Sequence, residues 1–115
     1  MRATASILTL QDAKAFGHSL EQVTAAVAST LRVGRLDLFS PHRAAHLVEA
    51  RHILYWCARY FTARSYPEIG RYINRDHCTI MHGVRKVDRN LERYVDRIKA
   101  VATALGINFQ RKEAA

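Results

Sequence analysis

The chain has 115 residues, a length suited to one domain with a single hydrophobic core. Its 18 Lys and Arg residues outnumber its 10 Asp and Glu residues, and the resulting net charge of +8 favours a polyanionic partner. The two cysteines form no C-x-x-C pair and the N-terminus has only a short apolar patch, which argues against a disulfide framework, a signal peptide and a membrane span, so we expect a cytoplasmic protein.

The N-terminal residues 1–18 carry weak and mixed signals and are predicted to form a poorly ordered arm. Ser19 and Gln22 then have the spacing of a capping box, and apolar residues follow at helical spacing, which predicts the first helix. The predicted domain extends over residues 19–106. Residues 107–115 are predicted to be a frayed tail.

A long central helix is predicted to begin at Ser40 and Pro41, with the serine as N-cap and the proline in the first turn. The run from Leu36 to Phe39 is expected to pack beneath this helix as an apolar plug. Three aromatic residues of the helix are expected in the core rather than on a base-stacking surface: Tyr55, Trp56 and Tyr60.

Residues 65–90 carry the pattern of two short helices joined by a tight turn. Ser65 and Glu68 form a second capping box, so a helix should begin there. Asn74 supplies turn chemistry, and Asp76 is an N-cap candidate for the next helix. Two helices in so short a span must cross, which predicts a helix-turn-helix whose second helix presents its N-terminal residues to a DNA groove.

After the turn, eight apolar residues recur at alternating spacings of four and three, the pattern of a helical seam: Ile80, Val84, Val87, Leu91, Tyr94, Ile98, Val101 and Leu105. This pattern predicts a long C-terminal helix. Its later part either folds back onto residues 1–31 or pairs with a second copy of the chain as a homodimer. Gly83 and Asn90 argue against one uninterrupted coiled coil and favour folding back.

The string from Pro67 to Gly70, then Arg75-Asp76-His77, and then the run from Thr79 to Val87 closely resemble the C-terminal DNA-binding domain (domain IV) of the bacterial replication initiator DnaA. The resemblance covers the stretch from Leu20 to Leu91. It implies a compact all-α domain with a DnaA/Trp-repressor-like helix-turn-helix. It also implies double-stranded DNA as the partner and a nucleoid-associated role in the control of replication initiation or transcription. No Walker-type string occurs in the sequence, so we expect no ATPase domain in this chain.

The resemblance also implies site residues. Asp76 would accept a hydrogen bond from a cytosine amino group and His77 would pack on thymine, because both match the family's motif. The candidates for base contact are Asp76, His77, Cys78 and Thr79. Seven basic residues are predicted to contact the DNA backbone, which fixes register without carrying sequence information: Arg51, Arg64, Arg71, Arg75, Arg85, Lys86 and Arg89.

Departures from the family pattern predict an altered or relaxed sequence preference. Cys78 replaces the usual threonine, and the turn is one residue shorter than in the initiator. Glu49 stands where the initiator has an arginine next to a basic loop that enters the minor groove, and a carboxylate there would be repelled. Arg43 could substitute only if the segment before the central helix were displaced.

Other classes of function have weaker support. The sequence offers no nucleophile with a base and an orienting partner, so we expect no enzyme and no cofactor. His42 and His46 lack a third ligand, so no metal site is predicted. The alternative to DNA binding is a non-enzymatic adaptor, which would bind a replication or regulatory protein through the N-terminal helix or the C-terminal seam.

Overall fold

The computed structural model describes residues 17–107, and within this range the chain forms six α-helices. They are α1 (Leu20–Leu31), α2 (Arg35–Phe39), α3 (Ala45–Thr62), α4 (Tyr66–Ile73), α5 (His77–Arg89) and α6 (Leu91–Ala104). The described range contains no strand, so the predicted all-α class is confirmed. Within the same range, no helix combines the length and the apolar character needed to cross a membrane.

Both ends of the described range are held by contacts with the end of α6. His18 donates from Nε2 to the carbonyl oxygen of Leu105 at 2.9 Å. Ile107 is only 6% exposed, and its N–H donates to the carbonyl oxygen of Ala102 at 2.8 Å. His18 and Ile107 therefore belong to the domain rather than to the predicted arm and tail. The remainder of that tail and residues 1–16 of the arm lie outside the described residues.

The first helix begins where the sequence predicts. The hydroxyl of Ser19 accepts the N–H of Gln22 at 3.1 Å, and the Gln22 side chain accepts the N–H of Ser19 at 2.9 Å, which completes the capping box. Val23 and Val27 are fully buried on the inner face of α1. This face packs against α3 and α6, and at the start of α1 the Glu21 carboxylate accepts from the Tyr72 hydroxyl of α4 at 2.6 Å.

The predicted C-terminal seam is present but lies inside the molecule. Asn90, with φ −125° and ψ 38°, separates α5 from α6, so the segment is two helices rather than one. Seven of the eight seam residues are at most 2% exposed, and Leu105 is half-buried. Because α6 packs on α1 and α3, folding back is confirmed. The apolar side chains of the seam are covered within one chain, so they offer no surface for a second copy, and a homodimer through the C-terminal helix stays a prediction.

The central helix α3 begins at Ala45, four residues after the predicted first helical residue. The hydroxyl of Ser40 accepts the N–H of His42 at 3.2 Å, as a cap would. The Ser40 carbonyl, which would accept the first intrahelical bond, accepts instead from Nη2 of Arg75 at 2.7 Å. His42 Nδ1 in turn accepts the N–H of Ala44 at 3.1 Å. These bonds hold residues 40–44 outside the helix.

The interior of the domain is built around α3. Tyr55 and Trp56 are 3% and 1% exposed, as predicted, and Tyr60 is half-buried beside the Trp56 ring. Leu38 is fully buried, but Leu36 is 85% exposed, so only part of the predicted plug packs beneath α3. Helix α5 also packs directly against α3. This contact holds the helix-turn-helix against the central helix of the core.

Candidate nucleic-acid interface

Helices α4 and α5 form the predicted helix-turn-helix. The hydroxyl of Ser65 accepts the N–H of Glu68 at 3.2 Å, and the Glu68 carboxylate accepts the N–H of Ser65 at 2.9 Å. The bond from the Ser65 N–H stabilises the charged carboxylate and lowers the pKa of Glu68. Asn74 ends α4 in the left-handed conformation, with φ 65°. The signals that set both ends of α4 are therefore local in sequence.

Gly70 allows the two helices to cross closely. The N–H of Arg75 donates to the Gly70 carbonyl oxygen at 2.9 Å, which closes the turn. A Cβ atom at position 70 would lie 2.5 Å from the Arg75 carbonyl oxygen and 3.3 Å from the His77 nitrogen. Both neighbours are backbone atoms that cannot rotate away, so a glycine is required at this position.

The N-terminal end of α5 faces solvent. Asp76 is its N-cap, and a carboxylate oxygen accepts the N–H of Cys78 at 3.1 Å. His77 Nδ1 lies 3.4 Å from the same Asp76 oxygen. Asp76, His77, Cys78 and Thr79 are all exposed, so the structure brings the four base-contact candidates together beside the positive end of the helix dipole.

The exposed face of α5 continues along the helix from this end. The buried residues Ile80, Gly83, Val84 and Val87 define its inner face. With about 3.6 residues per turn, the opposite face carries a row of four exposed side chains: Cys78, His82, Arg85 and Arg89. The sequence-based candidates omit His82, because resemblance and spacing predict that it packs near the turn. That prediction is wrong, since the side chain is exposed, and its spacing of four residues from Cys78 is the signal that could have identified it.

Five of the seven predicted backbone contacts are on the surface, namely Arg64, Arg71, Arg85, Lys86 and Arg89. Arg64 is partly engaged, since its Nη1 lies 3.5 Å from a carboxylate oxygen of Glu68. Arg71 borders a shallow depression between α4 and the start of α5, together with Asp76 and His77. Arg71 therefore lies beside the exposed end of α5, and Arg85, Lys86 and Arg89 continue the positive charge along the helix.

Arg51 is largely buried and meets the surface only at the edge of the depression that it lines with Arg43 and Thr79. The residue is 7% exposed, and its Nε donates to the carbonyl oxygen of Leu38 at 3.0 Å. Its Nη2 donates to the Asp37 carbonyl oxygen at 2.9 Å and to the Ser40 hydroxyl at 3.2 Å. Burial disfavours the charged guanidinium and lowers the pKa of Arg51. The prediction that Arg51 contacts the DNA backbone is therefore wrong, and its observed role is to brace residues 37–40.

Arg75 is half-buried and braces the same segment from the other side, through its 2.7 Å bond to the Ser40 carbonyl oxygen. It thereby ties the turn before α5 to the segment before α3. Part of its guanidinium is committed to the protein, so Arg75 is a weaker candidate for phosphate contact than the sequence suggested. Arg43, carried by the braced segment, is exposed and borders a second depression together with Thr79.

Glu49 is paired within the protein. Its carboxylate contacts Nη2 of Arg93 and accepts from Nη1 of Arg97 at 3.1 Å, and its side chain is 25% exposed. The expected repulsion between this carboxylate and DNA is therefore offset by two guanidinium groups from α6. No local sequence pattern predicts this pairing, because the partners lie 44 and 48 residues away.

The inner face of α5 rests on rings of α3. A Cβ at Gly83 would lie 2.6 Å from Tyr55 Cδ2 and 3.1 Å from His52 Cδ2, so these two helices also approach closely. Burial lowers the pKa of His52, and the nearby charge of Lys86 lowers it further. At the far end of α5, Asp88 accepts from Trp56 Nε1 at 2.9 Å. Both contacts fix the helix on α3.

Three potential metal ligands within the described range, Asp76, His77 and Cys78, have donor atoms within 4.8 Å of one another. All three are exposed, and Asp76 is already engaged as the N-cap of α5. The three side chains lie close together because they are consecutive residues at the start of α5. The expected absence of a metal stays a prediction.

Two crossed helices, a close turn at Gly70 and an exposed polar end of α5 inside a basic surface define a helix-turn-helix domain of the DNA-binding class. Comparison with known proteins identifies the family. Residues 20–87, more than half of the chain, match the family described as "Bacterial dnaA protein helix-turn-helix", and the chain belongs to this family.

Curated relatives carry the name chromosomal replication initiator protein DnaA. The protein of Rhodopseudomonas palustris strain HaA2 is 39% identical over 87 residues, which cover 70% of this chain and 18% of that protein. The proteins of R. palustris strain BisB5 and of Nitrobacter hamburgensis are each 41% identical over 70 residues, covering 60% of this chain and 15% of theirs. The chain therefore spans less than a fifth of the length of these relatives.

Proposed function

We propose that this protein binds double-stranded DNA by inserting the N-terminal half of α5 into the major groove. The observation that carries the proposal is the exposure of Asp76, His77, Cys78 and Thr79 at one helix end inside a basic surface. An exposed helix N-terminus offers unpaired amides and a positive dipole end to a polyanion. In this arrangement Asp76 and His77 read base edges, and the arginines around them contact phosphates.

Sequence preference in this proposal differs from that of the initiator. Cys78 has a thiol, which is a weak hydrogen-bond donor, at the position where the family commonly has a hydroxyl. His82 adds a polar group one turn further along the exposed face of α5. Arg43 supplies an exposed cation next to Thr79, because the segment before α3 is held outside the helix. We expect retained DNA binding with altered or relaxed specificity.

The proposed biological role is control of replication initiation or of transcription, and it rests on family membership. The relatives that share this domain are replication initiators, and this chain matches only a small part of their length. We infer a binding protein without catalytic activity or cofactor, acting on DNA in the cytoplasm at the nucleoid.

A protein-binding adaptor is the weaker alternative. An adaptor that binds its partner through the C-terminal seam would need exposed apolar residues there, and those residues are buried within the chain. The other form of the adaptor uses α1, whose exposed residues include Glu21, Gln22 and Ala25. These are small or polar side chains, and protein interfaces rely more on large aromatic and arginine anchors.

Fluorescence anisotropy with a labelled initiator-box duplex and a scrambled duplex, measured across a salt series, tests the proposal. We expect binding to both duplexes that weakens steeply with salt, because each neutralised phosphate releases counterions. Lys86→Ala should weaken binding to both duplexes and reduce the salt slope by about 1. His77→Ala should mainly reduce the difference between the two duplexes.

Arg32→Ala is the matched control, because Arg32 is an exposed arginine at the end of α1 and is not part of the helix-turn-helix. It removes the same charge and should leave both affinities nearly unchanged. Absence of duplex binding by the unmodified protein at low salt would contradict the proposal and would favour the adaptor.

A further inference from the structure

We propose that Arg93 and Arg97 of α6 extend the DNA-backbone surface beyond α5, and that Glu49 holds their guanidinium groups in place. This inference rests on the proposed function, since it concerns how the same DNA is contacted. It adds a second helix, outside the helix-turn-helix, to the contact surface.

The sequence places four arginines at a constant spacing of four residues, at positions 85, 89, 93 and 97. Arg85 and Arg89 are exposed on the outer face of α5, and Arg93 and Arg97 follow on α6. Asn90 breaks the helix between the two pairs. The spacing of four residues therefore continues in the sequence from the recognition helix onto the helix that follows it.

The two α6 arginines are ordered by the protein. Each contacts a different oxygen of the Glu49 carboxylate, and both guanidinium carbons lie over the Tyr94 ring, at 5.7 Å for Arg93 and 5.2 Å for Arg97. A guanidinium has five N–H donors, and the contact with Glu49 occupies only one nitrogen of each. The Arg93 side chain is 62% exposed and that of Arg97 37% exposed. Ordered guanidinium groups with free donors suit phosphate oxygens.

This cluster lies next to the recognition helix. Glu49 precedes His52 by three residues, so both lie on one face of α3. His52 packs directly under α5 at Gly83. The charge of Lys86 lowers the pKa of His52 and the charge of Glu49 raises it.

The charges of the cluster leave a positive surplus. One carboxylate and two guanidinium groups sum to +1, the charge that a single arginine at position 49 would supply. Acidic side chains begin on the neighbouring face of α6, where Glu92 and Asp96 are exposed. The basic surface therefore ends at this helix, and Arg93 and Arg97 form its border.

A set of variants separates contact with DNA from simple shielding of Glu49. The set comprises the unmodified chain, Glu49→Gln, and Glu49→Gln combined with Arg93→Ala and Arg97→Ala, each measured by anisotropy on one duplex across a salt series. Glu49→Gln removes the negative charge and should raise affinity. The triple variant should then bind roughly tenfold more weakly than Glu49→Gln, with a salt slope lower by about 2.

Lys99→Ala is the matched control, since Lys99 is an exposed cation of the same helix outside the cluster. It should change affinity far less than the triple variant changes it. Thermal unfolding of every variant verifies that the fold is retained. Equal affinity and equal salt slope for the triple variant and Glu49→Gln would overturn the inference. If the unmodified chain binds no duplex, the proposed function itself fails, so the two failures are distinguishable.

Discussion

Ser65 and Ser40 stand at two predicted helix starts, and only Ser65 is the N-cap of the helix that follows it. Ser65 exchanges both capping bonds with Glu68, three residues away, and α4 begins there. The carbonyl oxygen of Ser40 accepts from Arg75 and its hydroxyl accepts from Arg51, and α3 begins only at Ala45. A capping serine fixes the start of a helix when its hydrogen-bond partner lies three residues away. It does not do so when donors from distant parts of the chain bind the same serine atoms.

The same contrast applies to the arginines. Those on the outer face of α5 point away from the core because the period of the helix puts them there. Arg51 and Arg75 face backbone carbonyls of the segment before α3, which no local pattern announces. Two of the seven basic side chains assigned to phosphates, Arg51 and Arg75, therefore stabilise the fold.

The largest expected effect is a loss of stability at the turn between α4 and α5, where the contacts are local in sequence. Gly70→Ala places a Cβ 2.5 Å from the Arg75 carbonyl oxygen, so the turn must shift, at a cost of about 3 kcal/mol. Urea unfolding measures this loss. Gly34→Ala is the matched control, because its Cβ would meet only an Asp37 oxygen at 3.6 Å. Equal losses for the two variants would show that the close crossing at Gly70 is not what the turn requires.

The next largest effect tests the hydrogen bonds that Arg51 makes to residues distant in the sequence. Arg51→Ala removes the side-chain donor of the Leu38 carbonyl oxygen and one of the donors of the Asp37 carbonyl oxygen, which keeps its bonds from Ser40, and we expect the free energy of unfolding to fall by about 2 kcal/mol. Arg32→Ala, which changes an exposed arginine, should cost little. A stability of Arg51→Ala equal to that of the unmodified chain would contradict the bracing role and restore Arg51 as a candidate for DNA contact.

A smaller effect compares the two serines directly. Ser65→Ala removes the cap of α4 and should cost about 1 kcal/mol in thermal unfolding. Ser65→Asp should restore most of that loss, because aspartate caps helices equally well. Ser40→Asp gives no such rescue of Ser40→Ala if Ser40 is not a helix cap. If aspartate restores stability at position 40 as completely as at position 65, the claim that only Ser65 is an N-cap is contradicted.

The smallest expected effect concerns two carboxylates with opposite pKa shifts. Burial raises the pKa of Asp88, so the folded chain holds that proton more tightly and the free energy of unfolding falls as pH rises through the raised pKa. The pKa of Glu68 is lowered, so its contribution is lost only as pH falls through that lowered value. Asp88→Asn keeps an acceptor for Trp56 and should remove the first dependence. Identical pH profiles of unfolding for Asp88→Asn and the unmodified chain would contradict the assignment.

Much of the fold and of the site follows from sequence, and the exceptions share a cause. The capping pairs at Ser19 and Ser65 predict α1 and α4, and the turn chemistry before His77 predicts the exposed start of α5. The burial of Arg51 and the pairing of Glu49 depend on partners that only the tertiary fold brings near. His82 is different, since helical spacing from Cys78 was sufficient to place it on the exposed face.

The most direct test of the central claim is a nuclear magnetic resonance titration of the labelled protein with duplex DNA. If α5 enters a groove, the largest amide shift changes fall on residues 76–79 and on His82, and the exposed face of α1 changes little. Shift changes concentrated on α1, with residues 76–79 unaffected by saturating duplex, would contradict the claim.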